Sequence, residues 1–562
     1  MKCMKRIGLW FLGLSILWLS SVVMGAEDLS VMPPTKDKEA LTTPYFPNRL
    51  CTFVWRNWNQ IPVERMAKAI GTSEANLKEI AALMGLPPYK EPTWTIAQHY
   101  ITIVRRNWHL LPYEQMLVLL DMSAEKLAFN LKEDDFLYVK LGNIKPHCEP
   151  LVYKPLTAEE KAQCATIAKN YKSEMGELLN MPEEPRFEFI KDLTSVSKEE
   201  FKPSKTKSRF EVRYIYSYFA LFGDPLADPN AEIFPEGLLQ KLATHGVNGV
   251  WLHVVLRDLA PGGPDFPEFG AGHEQRVASL KKAVASAKKY GINIYLYMNE
   301  PRAMPTRFFK NHADIIGAVE PHRDLCSMCI SCPKVKKWLG DSLAYLFREV
   351  PGLGGIFTIT ASENFTTCAS HGTKVMESCP RCSKREYADI IAEVNTVMEE
   401  GVHRSAPDAK VIVWDWGWAG NAPQPEIIAK LPKNVYVMSV SEWFVPIERG
   451  GVKTKINEYS ISAVGPGPRA TIHWAAARNR GLKPAAKVQF NTTWELGGVP
   501  YIPAMDLVAE HCHNLATSGV KAVQLSWSLG GYPSKNLKIP LIFDRDPLPT
   551  VDEALDELAL EL

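Results

Sequence analysis

From Phe210 onward, short runs rich in β-branched and aromatic residues alternate with longer stretches that carry apolar residues at helical spacing. Eight runs read as strands: 212–222, 249–256, 292–298, 355–360, 410–415, 435–440, 487–491 and 522–527. Helical patterns fill most of the gaps, at 235–245, 274–290, 334–348, 386–405, 424–431, 470–480 and 505–518. Alternation of this kind builds a parallel sheet, because each crossover helix returns the chain to begin the next strand in the same direction. Eight such units fit a closed barrel better than an open doubly wound sheet. No Gly-rich phosphate loop follows any of the runs, which argues against nucleotide binding. The expected fold class is α/β, a (β/α)8 TIM-type barrel over 209–545 preceded by a small helical repeat domain.

The start of the chain has a different logic. Lys2, Lys5 and Arg6 precede an apolar stretch over 7–23, and Gly25-Ala26 follows. This is the layout of a secretory signal peptide over 1–26, the alternative being an uncleaved anchor. The expected location is exported, periplasmic or secreted, with no membrane association after cleavage. No later stretch is apolar for the roughly 20 residues a span needs. The formal net charge of +1 offers no reason to expect a nucleic-acid partner.

A polar lead-in over 27–45 is followed by an internal repeat spanning 45–145 with an offset of 50 residues. Arg56-Asn57-Trp58 matches Arg106-Asn107-Trp108, and Pro62, Glu64 and Met66 match Pro112, Glu114 and Met116. Ser73 and Leu77 match Ser123 and Leu127. One short helical hairpin per copy is the simplest reading, serving as a scaffold or as a glycan- or wall-binding unit. The Lys- and Glu-rich segment 150–208 reads as a helical linker.

Barrel enzymes place their chemistry at the C-terminal ends of the strands. There the second run ends near His253 and Arg257, the third at Asn299-Glu300-Pro301-Arg302, and the fourth at Ser362-Glu363-Asn364. The fifth ends at Asp415-Trp416, the sixth at Glu442-Trp443, the seventh at Trp494-Glu495 and the eighth at Trp527. Carboxylates beside indoles and amides suit sugar chemistry. One carboxyl group protonates the leaving oxygen, a second attacks or activates water, and aromatic faces stack on pyranose C–H surfaces. The expected function is an exported glycoside hydrolase acting on an oligosaccharide or polysaccharide, with Glu363 and Glu495 as the catalytic pair. His253, Arg257, Asn299, Glu300, Arg302, Asn364, Asp415, Trp416, Glu442, Trp443, Trp494 and Trp527 are the expected substrate-binding residues. No cofactor is required for this chemistry.

Over 246–364 the chain resembles the barrel of family-20 β-hexosaminidases, through Val247-Asn248-Gly249-Val250, His253 and Ala287-Lys288-Lys289-Tyr290-Gly291-Ile292. That resemblance implies a hexosaminidase-like mechanism with Glu363 as acid. Ser362 stands where those enzymes carry the Asp that orients the acetamido group. The chain also resembles the large barrel clan whose acid/base and nucleophile follow strands four and seven. The usual Asn before the acid/base is replaced here by Ser362, and Asn364 comes after. Residues 469–534 resemble a block found in exported bacterial proteins, which brings no activity with it. The alternative from a different class is a non-catalytic glycan-binding barrel.

Six cysteines cluster between 326 and 382. Cys379-Pro380-Arg381-Cys382 is a knuckle, preceded by Cys368 and His371, and these four side chains can hold a structural zinc ion. Cys326, Cys329 and Cys332 are further candidate ligands. Export equally permits disulfides between the two loops.

Overall fold

The matched positions of the repeat turn out to be caps, core and joint. A computed structural model describes residues 28–560 apart from 94–95, 134–136, 181–187, 199–207, 220–222, 321–322, 363, 419, 421, 493–498 and 528–529. The chain divides into two compact units, 1–179 and 180–562. In the first, copy one contributes α1 (Arg49–Asn57), α2 (Val63–Ile70) and α3 (Glu74–Leu83). Copy two contributes α4 (Ile96–Asn107), α5 (Tyr113–Leu120) and α6 (Ala124–Glu133). Each copy is therefore three helices rather than a hairpin, because the Arg-Asn-Trp segment ends a helix of its own.

Ser73 and Ser123 cap α3 and α6, accepting from the Asn76 and Lys126 amides at 3.3 Å each. Met66, Met116, Leu77 and Leu127 are fully buried. Asn57 Nδ2 donates to Asn107 Oδ1 at 2.9 Å, and Asn107 Nδ2 donates back to Asn57 Oδ1 at 2.8 Å. Arg56 donates to the Arg106 carbonyl and Arg106 to that of Arg56, at 3.0 and 2.6 Å. The linker region carries helices Ala158–Asn180 and Glu188–Thr194.

In the second unit eight parallel strands close into a barrel. They are β1 (Val212–Tyr216), β2 (Gly249–Val254), β3 (Asn293–Met298), β4 (Gly355–Ile359), β5 (Lys410–Trp414), β6 (Val435–Val440), β7 (Lys483–Lys487) and β8 (Ala522–Gln524). Each pairs with its successor in sequence, and β8 pairs back onto β1. Side chains alternate across the strands as a pleated backbone demands. Ile215, Val250, Leu252, Ile294, Leu296, Ile356, Val411 and Val413 belong to the core shared with the surrounding helices. Tyr214, Trp251, Tyr295, Phe357, Ile412 and Tyr436 belong to a separate cluster that fills the barrel. An interior this aromatic needs relief, and Gly249 gives it: a Cβ there would lie 2.7 Å from the Tyr295 ring and 2.8 Å from Tyr214 Cβ.

Three strands are placed differently from the sequence expectation. β7 begins at Lys483, four residues before the expected 487, because Gly481 closes the preceding helix in a left-handed conformation (φ 80°) and the next strand starts at once. Its sequence, Lys-Pro-Ala-Ala-Lys, has little intrinsic strand preference, and the partners β6 and β8 impose the conformation. β1 and β8 end sooner than expected, at Tyr216 and Gln524.

Two insertions matter for the barrel mouth. A three-stranded antiparallel sheet after β3 has Leu325–Met328 at its centre, flanked by Met304–Pro305 and Ile316–Glu320. A hairpin, Pro446–Arg449 with Val452–Lys455, follows β6.

Candidate active site

All eight strands point the same way, so their last residues share one end of the barrel. An arc of aromatic side chains lines that end. Tyr216 stacks on Trp251 at 4.1 Å between centroids, and Trp251 on Trp527 at 5.0 Å. Trp527 meets Trp414 edge-on at 5.2 Å, Trp414 contacts Trp416 at 5.6 Å, and Trp416 stacks on Trp443 at 5.2 Å. Trp416 and Trp527 are partly exposed, whereas Trp251, Trp414 and Trp443 are buried. The buried indole N–H groups of Trp251, Trp414 and Trp443 have no hydrogen-bond partner among the described residues.

Two expected site carboxylates are held by the protein's own groups, although Asp415 Oδ1 has no hydrogen-bond partner among the described residues. Asp415 is completely buried, and its Oδ2 accepts from Ser439 Oγ at 2.6 Å and His473 Nδ1 at 2.5 Å, with Arg469 Nη1 at 2.9 Å. Burial alone would raise its pKa, but Arg469, His473 and Ser439 outweigh burial and hold the carboxyl below its usual range. The Gln424 amide donates to His473 Nε2 at 2.7 Å, which fixes the proton on Nδ1, facing Asp415. Arg469 also donates to the Asp415 carbonyl and lies 4.7 Å over the Trp443 ring, tying the ends of β5 and β6 together. Glu300 is buried too. The Leu256 amide donates to its Oε1 at 2.7 Å and the Arg302 amide to its Oε2 at 2.8 Å, so it latches the segment after β2 to the segment after β3. Burial pushes its pKa up despite those two donors.

Glu442 is different. It is fully buried two residues beyond β6, and the Ser460 amide donates to Oε1 at 3.1 Å. Its Oε2 has no hydrogen-bond partner among the described residues. Burial raises its pKa to about 7, with Lys487 opposing that shift. Lys487, the last residue of β7, is itself completely buried. Its ammonium position lies 2.9 Å over the Tyr459 ring and 3.0 Å from Gln489 Oε1, and burial lowers its pKa well below the normal range. The low dielectric thus drives both partners toward their neutral forms. At the end of β8, both amide atoms of Gln524 are buried without a partner among the described residues.

The remaining expected residues divide among frame and mouth. Asn364 Nδ2 donates to Asn299 Oδ1 at 3.0 Å, and Asn299 Nδ2 donates to the Ile359 carbonyl at 3.1 Å, binding the segment after β4 to the end of β3. Arg302 Nη2 donates to His253 Nε2 at 3.0 Å. Arg257 lies on a short helix, Leu256–Leu259, and is partly exposed. Glu363, Trp494 and Glu495 lie outside the described residues. After β5, Gly417 packs closely on the segment after β4: it has φ 77°, and a Cβ on it would fall 1.6 Å from the Ala361 carbonyl oxygen. Lys487, Arg469 and His473 were not picked out by the sequence reading. Lys487 carries the signal of a lysine at a strand end, whereas Arg469 and His473 lie on the helix Pro468–Arg480 and no sequence signal marks them.

The cysteine cluster is also rearranged. Four Sγ atoms converge within 4.8 Å of one another, from Cys329, Cys368, Cys379 and Cys382. Cys329 takes the place expected for His371, whose Nδ1 instead pairs with Glu320 at 2.8 Å while its ring stacks on Phe365. Cys326 and Cys332 are outside the group. No disulfide joins any two of the ten described cysteines.

A cleft of about 650 Å³ lies within the first unit, lined by residues of 37–49 with His109 and His147. The buried and shifted carboxyl groups discussed above belong to the barrel instead.

No protein-family model matches the chain, and no curated protein matches it. Among solved structures, the barrel is similar to a family 138 glycoside hydrolase targeting the pectin rhamnogalacturonan II, with TM-score 0.37 and 12% identity, covering 66% of this chain and 38% of that one. It is similar to the family 89 glycoside hydrolase of Clostridium perfringens in complex with PUGNAc, with TM-score 0.39 and 13% identity, covering 63% and 39%. It is also similar to a chitobiase of Flavobacterium johnsoniae, with TM-score 0.35 and 14% identity, covering 63% and 51%. The chain thus spans about half or less of the length of these three proteins.

Proposed function

We propose that this protein is an exported enzyme that hydrolyses a glycosidic bond of an oligosaccharide or polysaccharide at the C-terminal mouth of its barrel. The observation that carries the reading is the aromatic arc from Tyr216 to Trp443, broken by donors without partners among the described residues and by a carboxyl group whose pKa burial raises to about 7. Partly exposed indole faces at Trp416 and Trp527 suit the apolar side of a sugar ring, and buried N–H groups without partners suit its hydroxyls.

Glu363, four residues past the end of β4, is the general acid/base in this reading, and Glu495, eight residues past the end of β7, is the nucleophile or the base for water. Strands β5 and β6 lie between those two ends, so Trp416 and Trp443 belong to the arc that such a pair would flank. Glu442 donates to a sugar hydroxyl while protonated. Asp415 and Glu300 act through the backbone they hold rather than by touching substrate.

A second reading makes Glu442 the general acid, supported by its raised pKa and unbonded Oε2. The test is to assay the secreted protein on a broad glycan panel, then compare Glu363→Gln, Glu495→Gln and Glu442→Gln. The first reading expects a loss of at least about a hundredfold in kcat for the first two variants and a smaller effect for the third. Near-normal turnover in both Glu363→Gln and Glu495→Gln, with loss confined to Glu442→Gln, would favour the second. Glycan binding with no cleavage by the wild type would leave a binding barrel.

A further inference from the structure

We infer that Cys329, Cys368, Cys379 and Cys382 form a closed tetrathiolate site for a structural zinc ion that clamps the loop after β4 to the small sheet inserted after β3. All four side chains are fully buried. Cys329 Sγ lies 3.7 Å from Cys379 Sγ and 3.6 Å from Cys382 Sγ. Sulfur atoms bonded at about 2.3 Å around a tetrahedral ion lie roughly 3.8 Å apart, which the two distances from Cys329 match. A disulfide joins sulfurs in pairs at about 2.05 Å, whereas Cys329 stands almost equally close to two partners.

The surroundings are built for thiolates. Each sulfur has its own donor. Arg381 Nε lies 3.3 Å from Cys329 Sγ, the Ala318 amide 3.4 Å from Cys368 Sγ, the Cys382 amide 3.4 Å from Cys379 Sγ, and Ser331 Oγ 3.3 Å from Cys382 Sγ. Ser327 Oγ adds a second contact to Cys368, at 3.2 Å. Donors of this kind orient metal-bound sulfur and spread its charge. Four thiolates around Zn²⁺ carry a net charge of −2, and the Arg381 guanidinium offsets part of it. Space at the site is closed off as well, since a Cβ on Gly317 would sit 2.7 Å from Cys368 Sγ. Four protein sulfurs leave no open position, so the ion serves structure and not catalysis. An all-sulfur tetrahedral set selects zinc or iron, and we commit to zinc.

The clamp reinforces hydrogen bonds that already join the two segments, such as His371 with Glu320 and Arg381 with the Ile316 carbonyl. Cys329 follows the strand Leu325–Met328, while the other three ligands come from the loop that opens with Ser362 and Asn364. Metal analysis of the full-length secreted protein, without added chelator, should find one zinc per chain. Replacing zinc with Co²⁺ should give the visible absorption of tetrahedral thiolate coordination. Alkylation of the folded protein should leave these four thiols unlabelled until a chelator is added together with denaturant. Cys329→Ser should lower zinc content at least tenfold. His371→Ala and Cys332→Ser should keep it, which separates this ligand set from neighbouring alternatives even if Cys329→Ser folds poorly. Iron in place of zinc, two disulfides among the four cysteines, or four readily alkylated thiols with no metal would each overturn the inference.

Discussion

Replacing Asp415 with Asn separates two roles that the sequence alone cannot tell apart, binding a sugar and holding the barrel mouth together. The side chains of Asp415 and Arg469 are 0% and 1% exposed, and one carboxylate oxygen takes two hydrogen bonds and the ion pair with Arg469. Asn preserves the shape but removes the negative charge, leaving the Arg469 guanidinium buried without its counter-ion. Breaking one side of such a pair costs about 3–5 kcal/mol, because the abandoned charge cannot regain water. Urea unfolding followed by tryptophan fluorescence should show a loss in that range. Asp415→Asn combined with Arg469→Met should be more stable than Asp415→Asn alone, since no unpaired charge remains. The pH dependence has a definite sign. The folded pKa is depressed, so this contribution is complete above the ordinary carboxylate range and is lost as pH falls through the folded value. Asp415→Asn should therefore lack part of the acid-side stability loss of the wild type. A destabilisation under about 1 kcal/mol, accompanied by a tenfold rise in KM on an active substrate, would refute the reasoning and put Asp415 in contact with sugar.

Two further outcomes follow from buried polar pairs. Glu442 keeps its proton in the folded state up to about pH 7, so between its ordinary range and that value the unfolded chain binds fewer protons and stability falls as pH rises, by about 3 kcal/mol in all; Glu442→Gln should flatten this slope when compared with wild type by urea unfolding at pH 5 and pH 8, and repeating both in a Lys487→Met background removes the opposing titration of the lysine. Asn57→Ala strips Asn107 of both a donor and an acceptor in a fully buried site, which should cost about 1–3 kcal/mol, read as earlier thermal unfolding that Asn57→Leu with Asn107→Leu partly restores.

The barrel was legible because period-two runs separated by helical stretches leave few other topologies. Its weakest strand was misplaced for a physical reason: Lys483–Lys487 is a strand because of its neighbours, with almost no preference of its own. The strand ends were read at residues that do occupy the mouth, such as Trp416, Glu442 and Trp527. What the spacing could not reveal was which carboxylates are spent internally. Asp415 and Glu442 look alike in sequence, each beside a tryptophan after a strand. Only their partners, Arg469 with His473 for one and a buried lysine for the other, distinguish a fixed anion from a protonated acid. The four sulfurs that converge differ by one residue from the expected set for a similar reason. His371 is near Cys368 in the chain, but Cys329 arrives from the preceding insertion, a proximity made by tertiary structure.

The reciprocal pairs in the first unit have a consequence for its origin and its assembly. Asn57 faces its own counterpart Asn107, and Arg56 and Arg106 exchange the same bond in both directions. This is the contact pattern of an isologous interface, in which equivalent residues meet across a two-fold axis. One copy of the repeat therefore carries a surface complementary to itself, and the module is in effect a homodimer written into a single chain. Tethering replaces an association step with a loop closure, whose entropy cost grows only slowly with length. Once the halves share one chain, each is free to diverge on its outer face, while substitutions at the shared axis must be matched by their twin fifty residues away.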